Sequence, residues 1–265
     1  MFNVRTADLD RLNSITKYPS IPTYHALDPQ TGRLLEEPTA FAGPVLLTEK
    51  VDGTNARVVR LPDGAVLVGS RNEWLHALGD VVANSELGIV EAVRALAERV
   101  AQDTPEPDTA VVYWGEVFGG KVTSASGQYT GERRVGFRLF DAARIAGLDD
   151  LLARPSAELA LWREGGGQGF LDEDALAAEA DRRGVALTPR VGRLDAAELP
   201  QALAEAEAWL RETLPRTRVA LDAGAAGRPE GLVLRTPDRA TIAKARLGDY
   251  QKTLRQKGAP VAQAR

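Results

Sequence analysis

The sequence predicts an α+β domain, and three observations carry that prediction. Alternating apolar stretches at 45–50, 56–61 and 65–69 read as strands, with Pro62-Asp63-Gly64 joining the last two as a hairpin. A segment rich in alanine and leucine then runs from 143 to 214, with helices expected at 156–164, 172–183 and 200–213. Strands return at 231–236 and 241–245. Strands, a helical block and strands again define the class.

Taken in order, residues 1–40 are rich in turn formers, including Tyr18-Pro19-Ser20 and Asp28-Pro29, and are expected to form an irregular N-terminal arm. The main domain is expected over 41–250, with the helical block at about 143–214 as an insertion. Ser85 is placed to cap a helix in which Ile89, Val93, Leu96 and Val100 recur at helical spacing. Thr104-Pro105-Glu106-Pro107 should stop it. Apolar runs at 110–118 and 135–141 read as buried strands, and Gly165-Gly166-Gly167 and Gly184 punctuate the helical block. The tail at 251–265 is basic, with room for one helix at 249–257 and no separate C-terminal domain.

Composition narrows the chemistry. The 265 residues are 44% apolar and 26% charged, which fits a globular protein with a real core. No apolar run is long enough to span a bilayer, and the N-terminus lacks the order of a signal peptide, so a cytoplasmic protein is expected. The absence of cysteine excludes a disulfide framework, a thiolate metal site and a cysteine nucleophile. Two histidines are too few for most zinc sites, and His25 and His76 read better as structural or surface residues than as triad members. Neither a P-loop nor a dinucleotide fingerprint is present. Nucleophilic lysine, carboxylate–metal chemistry or pure binding remain.

Basic residues are unevenly chosen and unevenly placed. There are six lysines against 27 arginines, and arginine replaces lysine for solubility but not as a nucleophile. From 233 to 265 there are eight basic and two acidic residues, although the whole chain carries a net charge of −4. A basic tail on an acidic body fits a polyanionic partner and equally fits simple solubility.

Glu49-Lys50-Val51-Asp52-Gly53-Thr54-Asn55 places a lysine at the end of an apolar strand, before an Asp-Gly turn. Burial there disfavours a charged amine and favours a nucleophile able to attack phosphorus or carbonyl carbon. An ordinary hairpin turn explains the Lys-x-Asp-Gly spacing equally well. Other segments recur in a telling order: Gly69-Ser70-Arg71-Asn72, Tyr113-Trp114-Gly115-Glu116-Val117-Phe118-Gly119 and Gly136-Phe137-Arg138-Leu139-Phe140-Asp141. Glu230-Gly231-Leu232-Val233-Leu234-Arg235 and Ile242-Ala243-Lys244-Ala245-Arg246 complete the set, with Tyr18-Pro19-Ser20-Ile21 ahead of them.

With these motifs, over roughly 18–250, the chain resembles the covalent nucleotidyltransferases, which include ATP-dependent ligases and mRNA-capping enzymes. Within them it is most similar to RNA ligases of the phage nick-sealing and editing type, and Thr54-Asn55 favours that branch. The resemblance implies a nucleotidyltransferase domain of antiparallel sheets flanked by helices. It also implies ATP and Mg²⁺ (or Mn²⁺) as cofactors, and RNA with 5′-phosphate and 3′-OH ends as substrate.

The resemblance makes Lys50 the residue that carries AMP, with Lys244 and Arg246 supplying charge at the phosphate. Arg246 departs from the family's usual second lysine. Glu49, Asn55, Arg71, Glu116, Phe137 and Glu230 are implied in nucleotide binding, with Phe137 preferred over Phe140 for stacking on adenine. Glu230 and Glu116 are the metal-linked carboxylates. Asn55 and Arg71 are implied in RNA contacts, and Lys252, Arg255 and Lys257 are expected to touch phosphates without reading sequence. Arg133 and Arg134 fit either an RNA contact or a solvated corner.

The expected activity is RNA ligation through lysyl-AMP and an adenylated RNA end. End joining is expected to be weak, restricted in substrate or dependent on a partner protein. The alternatives are a DNA-strand ligase of the same superfamily and a non-catalytic nucleotide- or RNA-binding relative.

Overall fold

The computed structural model describes residues 2–77, 80–81 and 88–258; the expected Ser85 cap and residues 259–265 of the tail lie outside the described residues. In chain order the elements are α1 (Leu9–Thr16), β1 (His25–Leu27), β2 (Leu34–Pro38), β3 (Pro44–Lys50), β4 (Thr54–Arg60), β5 (Val66–Ser70), β6 (Trp74–Ala77) and β7 (Asp80–Val81). They continue with α2 (Ile89–Ala101), β8 (Thr109–Gly119), β9 (Val135–Ala146), α3 (Leu148–Ala153), α4 (Ser156–Glu164) and α5 (Glu173–Arg183). The last are β10 (Arg190–Asp195), α6 (Leu203–Thr213), β11 (Gly231–Arg235), β12 (Ile242–Arg246) and α7 (Leu247–Gln256). The α+β class follows, with every described strand pair in the named sheets antiparallel.

The chain divides into two compact units, each assembled from separate stretches. The first comprises residues 1–20, 53–126 and 132–187, and the second 21–52, 127–131 and 188–265.

In the first unit, six strands in the order β7-β6-β5-β4-β8-β9 form one sheet. Ile89, Val93, Leu96 and Val100 of α2 are buried in one cluster with Val58, Val66 and Val68 of the strands. Each such side chain stabilises the fold by about 1.5–3 kcal/mol. Asp8 caps α1 by accepting from Asp10 N and Arg11 N, and Leu12 and Ile15 are its buried side. Trp114 Nε1 donates to the carbonyl of Thr16 at 2.9 Å, tying the end of α1 to β8. Tyr18 follows, its ring edge-on to Trp114, Phe140 and Phe170 at 5.5, 4.9 and 5.7 Å. Its hydroxyl donates to buried Asp141 at 2.8 Å.

In the second unit the sheet order is β10-β3-β11-β12, with α6 and α7 packed on a core that includes Leu47, Leu232, Leu234, Ala243 and Ala245. Residues 22–24 run beside β12, with Tyr24 N donating to Lys244 O and Lys244 N to Pro22 O. Buried His25 joins Tyr250 Oη through Nδ1 at 2.8 Å and the carbonyl of Gln201 through Nε2 at 2.9 Å, a structural role as expected.

Two expectations for the chain's organisation differ from what forms. Residues 1–40 contain α1 and the β1–β2 pair rather than an irregular arm, because Asp8 supplies a cap and the Asp28 turn joins two short strands. The block at 143–214 is interrupted by β10, a polar strand with no apolar run of its own, formed by pairing with β3. Edge strands need only one partner and carry little hydrophobic signal.

Candidate functional site

Lys50 ends β3, the strand lying between β10 and β11. In register, Lys50 faces Gly231, which faces Arg246; one step back, Thr48 faces Val233, which faces Lys244. Side chains two apart on a strand share a face, and so do directly paired residues. One face of the sheet therefore carries Lys50, Lys244 and Arg246, while Leu47, Leu232, Leu234, Ala243 and Ala245 turn to the helical core.

Lys50 Nζ donates to Glu230 Oε2 at 2.7 Å, with the two side chains 25% and 18% exposed. Burial pushes the Glu230 carboxyl above its ordinary range, a shift opposed chiefly by the Lys50 charge. The backbone of Glu230 is held too, its carbonyl accepting from Leu247 N at 2.9 Å. Gly231 is obligatory at this crossing: a Cβ there would lie 2.0 Å from the carbonyl oxygen of Ala245. Arg246 Nε donates to Asp249 Oδ2 at 2.7 Å, which orients its guanidinium at the start of α7.

Glu49 lies on the opposite side of β3 from Lys50, and it is 1% exposed. Its carboxylate accepts from Thr217 Oγ1 and, at 2.8 Å, from Arg218 N. That geometry favours bracing of the strand over the nucleotide contact expected from sequence. Asp52 N donates to Tyr129 Oη at 2.7 Å, so Tyr129 secures the turn after Lys50. Lys252 and Arg255 are exposed on α7, whereas Lys257 pairs with Glu36 at 3.0 Å.

The remaining expected residues belong to the first unit. Glu116 Oε1 accepts from Gly53 N at 3.0 Å. Asn55 faces Glu116 across β4 and β8, and its Oδ1 is buried without a hydrogen-bond partner among the described residues. A buried acceptor left unsatisfied is costly and calls for a donor. Phe137 is half-buried, and its ring lies across Gly115, where a Cβ would come within 2.2 Å of Cε2. Phe140 instead joins the Tyr18 cluster.

Arg71 is exposed in the turn between β5 and β6. That turn is anchored to α1 by Asn13 Nδ2 on Asn72 O at 2.6 Å and by Lys17 Nζ on Asn72 Oδ1 at 2.8 Å. Burial lowers the Lys17 pKa first, and the charges of Arg163, Arg71 and Arg57 lower it further.

Among the described residues no three His, Cys, Asp or Glu side chains gather as a metal-binding group. A magnesium ion is commonly held by one or two carboxylates together with substrate phosphates, a requirement that Glu230 meets from the Lys50 sheet.

The fold has counterparts among solved structures. A lysine-to-methionine mutant of the Naegleria gruberi RNA ligase with AMP and Mn aligns over 90% of this chain and 58% of its own, at TM-score 0.58 and 17% identity. A lysine-to-alanine mutant of the same ligase with ATP and Mn gives a TM-score of 0.55 at 17% identity, with 90% and 58% coverage. The ligase with PPi gives 0.55 at 17% identity over 91% of this chain and 59% of that one. The chain thus spans less than two thirds of the length of these structures. These likenesses define the architecture as that of RNA ligases. Comparison with curated proteins gives no match. The RNA ligase family matches by its sequence profile over residues 43–247, and the chain belongs to that family. Among the described residues no helix is long and apolar enough to cross a membrane.

Proposed function

We propose that this protein is an ATP-dependent RNA ligase that joins 5′-phosphate and 3′-OH ends through a lysyl-AMP intermediate. The observation that carries the reading is the Lys50–Glu230 pair on a sheet face that also bears Lys244 and Arg246. Lys50, once deprotonated, attacks the α-phosphorus of ATP; an N–P bond forms, and the bond to pyrophosphate breaks. Lys244 and Arg246 offset the charge that grows on the phosphate oxygens. A divalent ion, Mg²⁺ or Mn²⁺, would add to that offset when bound, with Glu230 as its holding carboxylate on this sheet.

On the first unit, Glu116 is assigned to the ribose hydroxyls and a metal-linked role, and Phe137 to stacking on adenine. Asn55, with its unsatisfied buried oxygen, and Arg71 are assigned to nucleotide and RNA phosphate contacts. Glu49 acts by bracing β3 behind Lys50. In the second step a 5′-phosphate oxygen of RNA takes the adenylyl group from Lys50. In the third, a 3′-OH attacks that 5′-phosphorus and AMP leaves. Lys252 and Arg255 contribute phosphate contacts from α7, Lys257 just after it does so on leaving Glu36, and a cytoplasmic setting supplies the ATP.

The test is covalent labelling. Protein with Mg²⁺ and α-labelled ATP should gain one AMP, and Lys50→Ala should gain none; label persisting in that variant overturns the assignment. Chasing the adenylylated protein with RNA-containing and all-DNA nicks separates RNA from DNA ligation. Transfer that appears only with an added protein factor assigns the grip on RNA to a partner.

A further inference from the structure

Lys17 caps the C-terminal end of α1, and the reaction above gives it no task. Its amine donates to Asn72 Oδ1, a neutral amide, in the β5–β6 turn that also carries Arg71. Arg57 of β4 stands behind α1, 1% exposed, with its guanidinium 4.2 Å over the Trp74 ring. It too is held by neutral groups: Nη1 donates to Asn13 O at 3.1 Å, and Nη2 donates to Asn13 Oδ1. Asn13 Nδ2 in turn donates to Asn72 O at 2.6 Å. Two cations thus reach one asparagine turn through amides, and Arg71 is exposed beside them.

Arg163 of α4 adds a third arginine around Lys17, its Nη1 donating to the carbonyl of Ser14 at 3.0 Å. The carboxylate that acts on Lys17 against these charges is Glu164, and it is already engaged. It accepts from Arg163 Nε at 3.0 Å and from Ser20 N at 3.0 Å. The repulsion registers at the Lys17 amine, whose pKa is lowered by burial first and then by Arg163, Arg71 and Arg57, with Glu164 opposing. All of these residues lie in the first unit.

Like charges gathered round one engaged carboxylate set up a potential that an anion relieves. An ammonium has three donors, and Asn72 uses one of them. A guanidinium beside it offers a planar fork that matches two phosphate oxygens. We infer that Lys17 and Arg71 form a two-point grip on a single phosphodiester of the RNA, with Arg57 and Arg163 setting the positive potential around it. Asn72, held by both Lys17 and Asn13, fixes the turn that presents Arg71. This inference rests on the ligase reading for the identity of its polyanion.

The experiment uses the full chain and a short 5′-phosphorylated RNA strand, with binding followed by fluorescence anisotropy across a salt series. K17Q keeps a donor for Asn72 Oδ1 but removes the charge, and it should bind about tenfold more weakly with a shallower log–log salt slope. K17R should restore both. K17Q/R71Q should lose about 0.7–1 of the slope, the share of one phosphate. In the wild-type protein RNA should shield the Lys17 amine from acylation, read by peptide mass spectrometry, which tests the grip without a variant. A wild-type affinity and slope in K17Q makes Lys17 a latch for the turn and overturns the grip, as does acylation of Lys17 that RNA leaves unchanged. A slope loss of about twice the expected size in K17Q/R71Q puts the two cations on separate phosphates and also overturns it. An all-DNA strand bound more tightly than RNA overturns RNA as the occupant. A wild-type protein that binds RNA through Lys17 but never gains AMP would keep the grip and sink the ligase reading.

Discussion

Lys50 and Glu230, 180 residues apart in the chain, meet at 2.7 Å on neighbouring strands. The lysine proposed as nucleophile is thereby held in place by the carboxylate also proposed for the metal. In the intact pair Lys50 Nζ donates a hydrogen bond to Glu230, and on the proposed mechanism nucleotide and metal would open that pair before the lysine attacks.

Glu230→Gln separates these roles. AMP transfer should fall by about 100-fold or more, in line with loss of a charged group acting at the reacting phosphate. The buried carboxyl has a raised pKa. A raised acid stabilises the native state most at pH below its unfolded value, and that contribution is lost as pH rises through the folded value. The wild-type Tm should therefore drop more than that of Glu230→Gln as pH rises from the ordinary carboxylate range through the raised value of the folded state. Parallel Tm profiles would remove burial of Glu230 as the cause.

Gly115→Ala places a methyl group where the Phe137 ring lies. Overpacking of this kind costs about 1–3 kcal/mol. If Phe137 stacks on adenine, displacement of its ring should raise the KM for ATP, and Phe137→Leu should raise it with less loss of stability. Thermal melts and ATP titration of adenylylation together check both.

Tyr129→Phe removes the oxygen that accepts from Asp52 N. An orphaned buried donor costs about 1–3 kcal/mol, and the turn after Lys50 should loosen. The expected signature is a slower adenylylation rate at saturating ATP with little change in KM, measured by single-turnover labelling.

Tyr18→Phe deletes the hydrogen bond to Asp141 but keeps the ring among Trp114, Phe140 and Phe170. Urea denaturation should show a loss of about 1–3 kcal/mol. Tyr18→Leu should lose more, because the edge-on ring contacts go as well.

Much of this was legible because hydrophobic periodicity is strong in buried elements. The strands bearing Lys50, Glu116 and Lys244 and the helices at 156–164 and 173–183 all follow the pattern read from sequence. β10 was invisible because its residues are polar and its strand state comes from β3. The braces were hidden for a different reason. Thr217, Tyr129 and Asn13 act through hydrogen bonds to residues far away in the chain, and no local pattern marks such partners. Glu49 and Lys50 are neighbours in sequence, but strand alternation sends their side chains to opposite faces of β3, which a motif alone does not show.

The sheet order β10-β3-β11-β12 also has a consequence for how the protein is made. Both sheet neighbours of β3 are translated more than a hundred residues after it. Until they arrive, the lysine-bearing strand has neither edge paired and no Glu230 beside it. On the proposed mechanism, a nascent chain would not take up AMP on Lys50 until β10 and β11 have been made and paired with β3.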